Sequence, residues 1–330
     1  MKISKFLLSV ALAIGLLCGT AFAADPVVVG LITKTDTNPF FVKMKEGAEK
    51  EAAALGVKLL TATGKQDGDT AAQIAALENM TAAGAKTIMI TANGDAIIPT
   101  VKKVQALGVQ IIALDTAFEG ADALFATDNY KAGVLIGEYA KAAMGNKKPV
   151  IATLDLFPGG PSVGFQRHNG FMTGFGLVAN GPDSRELSTD PLIVGSADSY
   201  GDRAKGQAAM ETLLQKNPNI NLVYTINEPA AAGAYQALKA AGMEKKVMLV
   251  SIDGGAEGVR NVKAGIIAAT SQQYPLKMAA MGIDAAVKFA KTGKRESGYT
   301  DTGVNLIAKV RMPGIASQDV DWGLENAWGQ

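Results

Sequence analysis

Residues 27–41 read Val27-Val28-Val29-Gly30-Leu31-Ile32-Thr33-Lys34-Thr35-Asp36-Thr37-Asn38-Pro39-Phe40-Phe41. The apolar run has no polar alternation, which suits a parallel strand covered on both faces. Asn38-Pro39 is a helix start: Asn caps, and Pro fits the first turn without losing a hydrogen bond. The stretch therefore predicts strand, turn and helix. The same unit recurs outward from it. Apolar runs at 27–32, 57–62, 86–91, 109–114, 150–154, 222–226, 247–252 and 266–270 predict strands. Between them, residues such as Phe41, Met44, Ala48, Ala52 and Leu55 recur at steps of three or four, the stripe of an amphipathic helix. Gly56, Gly84, Gly108 and Gly242 stand between a helix and the next strand, where a left-handed cap is wanted. This alternation predicts an α/β fold of right-handed βαβ units with parallel sheets flanked by helices. The pattern pauses over 116–129 and restarts near Pro149, which predicts two similar lobes with a cleft between them.

Composition narrows the function. The 330 residues carry 32 Lys+Arg against 31 Asp+Glu, too balanced for a nucleic-acid binder. One Cys and one His exclude a disulfide framework and any cysteine- or histidine-cluster metal site. Lys2 and Lys5, an apolar run to Cys18 and Ala21-Phe22-Ala23 predict a signal peptide over 1–23, cleaved after Ala23. Leu17 before Cys18 argues against lipoprotein processing. Losing Lys2 and Lys5 leaves 30 basic against 31 acidic residues. The mature protein is then exported, thiol-free and expected to be soluble.

Ligands of open α/β sheets bind at strand carboxyl ends. There this chain places Lys34 and Asn38, with Phe40 and Phe41 just beyond. Asp115 and Thr116, Asn227 and Glu228, Asp253, and Gln273 follow later strands, and Arg167 lies near a helix start. Aromatic faces beside carboxylates, amides and a guanidinium suit a carbohydrate, whose C–H faces stack and whose hydroxyls both donate and accept. Nucleotide, phosphate-loop and hydrolase-elbow motifs are missing, and Asp67-Gly68-Asp69 is too short for a calcium loop. His168, the sole imidazole, has no nucleophile motif beside it. The expectation is a binding protein rather than an enzyme, with no cofactor and no metal.

Through Asn38-Pro39-Phe40-Phe41, Leu114-Asp115, Thr127-Asp128-Asn129, Arg167, Asn227-Glu228, Asp253-Gly254 and Gln273, the mature chain resembles the periplasmic sugar-binding proteins of bacterial ABC importers, of the ribose/galactose-binding type. Segments 31–41, 225–234, 269–275, 301–306 and 323–329 look most like fructose-binding proteins. The resemblance implies the type I periplasmic binding protein fold: two Rossmann-like lobes joined by a multi-strand hinge. It implies a first lobe of 24–127 plus about 274–302, and a second of 128–273 plus about 303–330. The hinge falls on Thr127, Asp128, Asn129 and Thr302. The ligand residues it implies are Asn38, Phe40, Phe41, Asp115, Arg167, Asn227, Asp253 and Gln273; Lys34, Thr116 and Tyr200, where the chain departs from the family pattern, are expected beside them. Relative to ribose binders, Thr116 replaces an Arg, Lys34 a Ser, and Gly201 an aromatic, with Tyr200 one place earlier. The partners implied are a monosaccharide, a membrane permease and, as a second role, a chemoreceptor, with the protein itself a monomer in the periplasm. A repressor with the same core needs a DNA-binding helix-turn-helix where this chain carries its leader.

Overall fold

A computed structural model describes residues 26–329. The expected signal peptide, Cys18 and the cleavage point after Ala23 lie outside the described residues. The chain opens with β1 (Val28–Thr33), α1 (Pro39–Leu55), β2 (Lys58–Thr63), α2 (Thr70–Ala82), β3 (Thr87–Ile90), α3 (Ile98–Ala106), β4 (Gln110–Leu114) and β5 (Ala123–Ala126). It continues through α4 (Asn129–Met144), β6 (Ile151–Asp155), α5 (Ser162–Phe175), β7 (Ile193–Asp198), α6 (Arg203–Lys216), β8 (Leu222–Thr225), α7 (Glu228–Ala240), β9 (Met248–Asp253), α8 (Ala256–Ala264) and β10 (Ala269–Gln272). It closes with α9 (Pro275–Thr292), β11 (Gly298–Asp301), β12 (Asn305–Ala308) and α10 (Val320–Glu325).

Two six-stranded sheets result, in the orders β11-β5-β4-β3-β1-β2 and β12-β10-β9-β8-β6-β7. All pairings are parallel except β12 against β10. β3 and β4 are buried along their whole length, as continuous apolar runs require. Gly56, Gly84, Gly108 and Gly242 all take positive φ, between 65° and 90°, so the reading of these glycines as helix stops holds.

The fold is the one expected, with differences in detail. β5, β7, β11 and β12 were not foreseen from the apolar runs. β11 is exposed throughout and β7 alternates half-buried with exposed residues, so neither carries a continuous apolar signal. β5 falls inside the apparent pause at 116–129, as only four residues. The strand expected at 266–270 starts late. The amides of Ile266 and Ile267 turn back to the Asn261 carbonyl and finish α8, so β10 begins at Ala269.

The chain passes between the sheets three times: from β5 to α4, from β10 to α9, and from β11 to β12. In the second lobe α4 and α5 touch backbone to backbone. A Cβ on Gly133 would collide with the Arg167 carbonyl, and one on Gly170 with the Tyr130 carbonyl. That contact fixes where α5 holds Arg167.

Candidate functional site

The carboxyl ends of β1 and β4 meet those of β6, β8, β9 and β10 across the lobe boundary. β1 ends at Lys34, whose side chain is 2% exposed. At the start of α1, the Asn38 Oδ1 accepts from the Phe40 amide at 3.0 Å, so the cap also sets the rings that follow. Phe40 and Phe41 meet edge to face at 5.3 Å, and the Lys34 ammonium lies 5.7 Å from the Phe41 ring.

Asp115 follows β4 with φ of 60°, and Asp253 closes β9 with φ of 146°. Both are unusual for non-glycine residues, and such strain collects at functional sites. Arg167 stands between them. Its Nη2 is 3.7 Å from Asp115 Oδ1 and its Nη1 3.5 Å from Asp253 Oδ1. It also donates to Asn129 Oδ1 at 2.7 Å and to the Ile226 carbonyl at 3.1 Å. The Gln273 Nε2 donates to Asp253 Oδ1 at 2.7 Å, and the Thr116 hydroxyl to Asp115 Oδ2 at 3.0 Å. Lys34 Nζ is 4.0 Å from Asp115 Oδ2. Asp115 Oδ1 and Gln273 Oε1 are buried acceptors with no hydrogen bond.

Nine expected residues line one chamber of about 30 Å³: Lys34, Asn38, Phe40, Phe41, Asp115, Arg167, Asn227, Asp253 and Gln273. Thr116 sits behind Asp115 and is not on its wall. Tyr200 is outside it as well. It lines a neighbouring cleft of about 700 Å³, stacked on Phe157 at 5.1 Å with the Lys205 ammonium 3.9 Å from its ring centre. The cleft is far larger, but the chamber holds the convergent charges, amides and rings, and it is the better candidate site. The two share Asn38, Asp67 and Asp253.

Sequence reasoning missed four chamber residues. Leu156, Val163 and Ile226 are apolar and carried no signal. Asp67 was visible only as a failed calcium loop. Its carboxyl is pushed up to about 6 by burial, with the Lys34 charge opposing. Burial also lowers the Lys34 ammonium, against the pull of Asp115. Asp253 and Glu228 are both raised by burial; Arg167 opposes the shift of Asp253, whereas Asp253 adds to that of Glu228. Glu228 accepts from the Gly254 and Gly255 amides and the Thr270 hydroxyl, so it braces the turn after Asp253.

At the crossings, Thr127 donates to the Gly303 carbonyl at 2.9 Å and lies 3.5 Å from the Thr302 hydroxyl. Asp128 caps α4 by accepting from the Lys131 amide. The Asn129 amide donates to the Asp115 carbonyl at 3.1 Å while its oxygen receives Arg167, tying this crossing to the chamber.

His168 has a structural place. Burial works against its charged form, yet Asp155 at 2.8 Å and the Ser188 carbonyl at 2.9 Å outweigh it and raise its pKa. The Ser188 hydroxyl bonds Asn169 instead, so His168 faces no nucleophile there. Among the described residues no group of three His, Cys, Asp or Glu could hold a metal ion, and no helix is long and apolar enough to cross a membrane.

Residues 29–295 match the model of a periplasmic binding protein domain. The ribose import binding protein of Salmonella typhimurium is 31% identical over 306 residues, covering 90% of this chain and 95% of that protein. The D-allose-binding periplasmic protein of Escherichia coli is 29% identical over 292 residues, covering 85% and 90%. Among solved structures, an ABC transporter periplasmic solute-binding protein from Actinobacillus succinogenes with bound D-allose shares 27% identity at a TM-score of 0.74, covering 86% of this chain and 98% of that one.

Proposed function

Because this chain belongs to the periplasmic binding protein family, we propose that it captures a monosaccharide between its lobes and hands it to the permease of an ABC importer. One observation carries the reading. Two rings, three amide side chains, two cations and three carboxylates converge on one interlobe chamber. Both cations already face Asp115 or Asp253, which favours an uncharged, hydroxyl-rich ligand over an ion. The names of the relatives, which bind ribose and allose, support the same class.

The chamber of about 30 Å³ is well below the roughly 300–1,000 Å³ of small-molecule sites, so uptake requires the lobes to part and close again. The crossings near Thr127, Asn129, Gln273 and Thr302 supply the hinge. Fructose is the finer reading, resting on the segments quoted above and on Lys34 and Thr116 in place of the ribose-type pair. Export through a cleaved leader and function as a monomer complete the proposal.

The test is a thermal-shift panel of pentoses, hexoses and polyols. A ligand raises stability by RT ln(1 + [L]/Kd), so saturating sugar lifts the melting temperature. The Asp253→Ala protein loses that shift. A panel without any shift overturns the carbohydrate reading, and fructose ranking below ribose and allose overturns the finer one.

A further inference from the structure

Trp328 lies beyond the residues the site requires, yet it touches both lobes at the chamber wall. Its carbonyl accepts from the Ala256 amide at 2.9 Å, at the start of α8. Its indole Nε1 donates to the Asp253 carbonyl at 3.3 Å. Its ring lies flush on the turn after β9, where a Cβ on Gly255 would come within 2.9 Å of it. These contacts tie it to the second lobe. On the other side the ring meets Phe40 at 5.7 Å, edge to face at 82°. It joins the apolar cluster of Phe40, Phe41 and Met44 and is only 8% exposed. Its backbone is thus bound to one lobe while its ring lies between that lobe's β9 turn and the Phe40 cluster of the other.

We infer that Trp328 is a positioning residue that clasps the closed lobes and sets how long a bound sugar stays; the second half rests on the sugar-binding reading. Parting the lobes must draw the ring off Phe40 and expose a large aromatic surface. The ring also holds the carbonyl of Asp253 and one face of Phe40, one chamber residue from each lobe. Opening therefore carries the ring and Asp253 away from Phe40 together.

Trp322 is the only other tryptophan, so a Trp322→Phe protein reports on Trp328 alone. Without sugar, its emission is at least threefold less quenched by acrylamide than free indole, and adding Phe40→Ala raises the quenching about twofold. With D-ribose, D-allose or D-fructose, whichever shifts the melting temperature, Trp328→Ala speeds sugar dissociation at least tenfold. Trp328→Phe speeds it about threefold, since it keeps the packing and loses the indole hydrogen bond. A merely structural tryptophan would lower the melting temperature and leave the dissociation rate of the folded protein unchanged. That result, or quenching equal to free indole, overturns the clasp. If Trp328→Ala does not fold, the phenylalanine variant and the quenching decide. If no sugar binds, the function proposed above fails, and the quenching still decides the clasp.

Discussion

Asp115 and Asp253 occupy the same place in two repeats of one architecture. β4 and β9 are each third from the corresponding edge of their sheets, and each ends on a buried, positive-φ aspartate facing Arg167. Their surroundings differ. Asp115 has Lys34 and the Thr116 hydroxyl beside it and an unbonded Oδ1. Asp253 is held by Gln273, with its turn braced by Glu228 and Trp328. The helices diverge likewise: α1, after β1, delivers Phe40 and Phe41, and α5, after β6, delivers Arg167. Equivalent backbone positions thus carry unlike chemistry, and the site exists only where the two halves face each other.

The sharpest way to break this comparison is to delete each carboxylate. Asp115→Ala strips Lys34 of its closest carboxylate and Arg167 of one, and is expected to cost about 3–5 kcal/mol in denaturant unfolding. Asp253→Ala costs about 2 kcal/mol, because Arg167 keeps Asp115 and the Ile226 carbonyl. Equal costs would mean that the two strand ends are interchangeable. The apolar pair Lys34→Met with Asp115→Leu should recover part of the loss, since it removes the lysine charge together with its carboxylate partner.

The helix contacts beneath the site come next. Gly170→Ala in α5 pushes a methyl into the Tyr130 carbonyl and is expected to cost about 3 kcal/mol. Gly47→Ala in α1 comes no nearer than 3.0 Å, to the Leu276 Cα, and costs about 1 kcal/mol. The two unfolding midpoints separate the close α4–α5 contact from the looser contact of α1 with α9.

Asp67 gives a pH test centred on the interlobe chamber. Its folded pKa of about 6 lies above the ordinary 3.8, so the folded state binds the extra proton between those values. Its stabilising effect is therefore present in acid and is lost as pH rises from about 4 through 6, a fall of about 3 kcal/mol. Asp67→Asn should remove that part of the pH dependence. A variant with an unchanged pH profile would clear Asp67 of the role.

The smallest effect belongs to the rim. Arg185 in the second lobe pairs with Asp95 in the first at 2.7 Å, but both are more than two-fifths exposed. Arg185→Ala should change stability by less than about 1 kcal/mol, and sugar Kd by less than about threefold. A larger change would shift the closing force from the buried chamber to the surface.

The alternation of apolar runs, helical stripes and glycine stops determined the α/β class and the two repeats, because local patterning sets which faces must be buried. Strand ends were legible for the same reason: a polar residue directly after a buried run marks where the chain leaves the sheet. Lys34, Asp115, Asn227, Asp253 and Gln273 reach the chamber on that logic, and Asn38, Phe40, Phe41 and Arg167 reach it from α1 and α5. Tyr200 went to the neighbouring cleft because its turn, with φ of 54° at Tyr200 and 63° at Gly201, carries the ring toward Phe157. No local pattern encodes that direction. Asp67 and Trp328 were equally hidden, one in a loop after an edge strand and the other some seventy residues past the strand it braces. Their burial, the raised carboxyl of Asp67 and the reach of Trp328 across the lobes depend on charges and rings from distant parts of the chain. Only tertiary structure brings those together, since burial and electrostatic coupling act through space and not along the sequence.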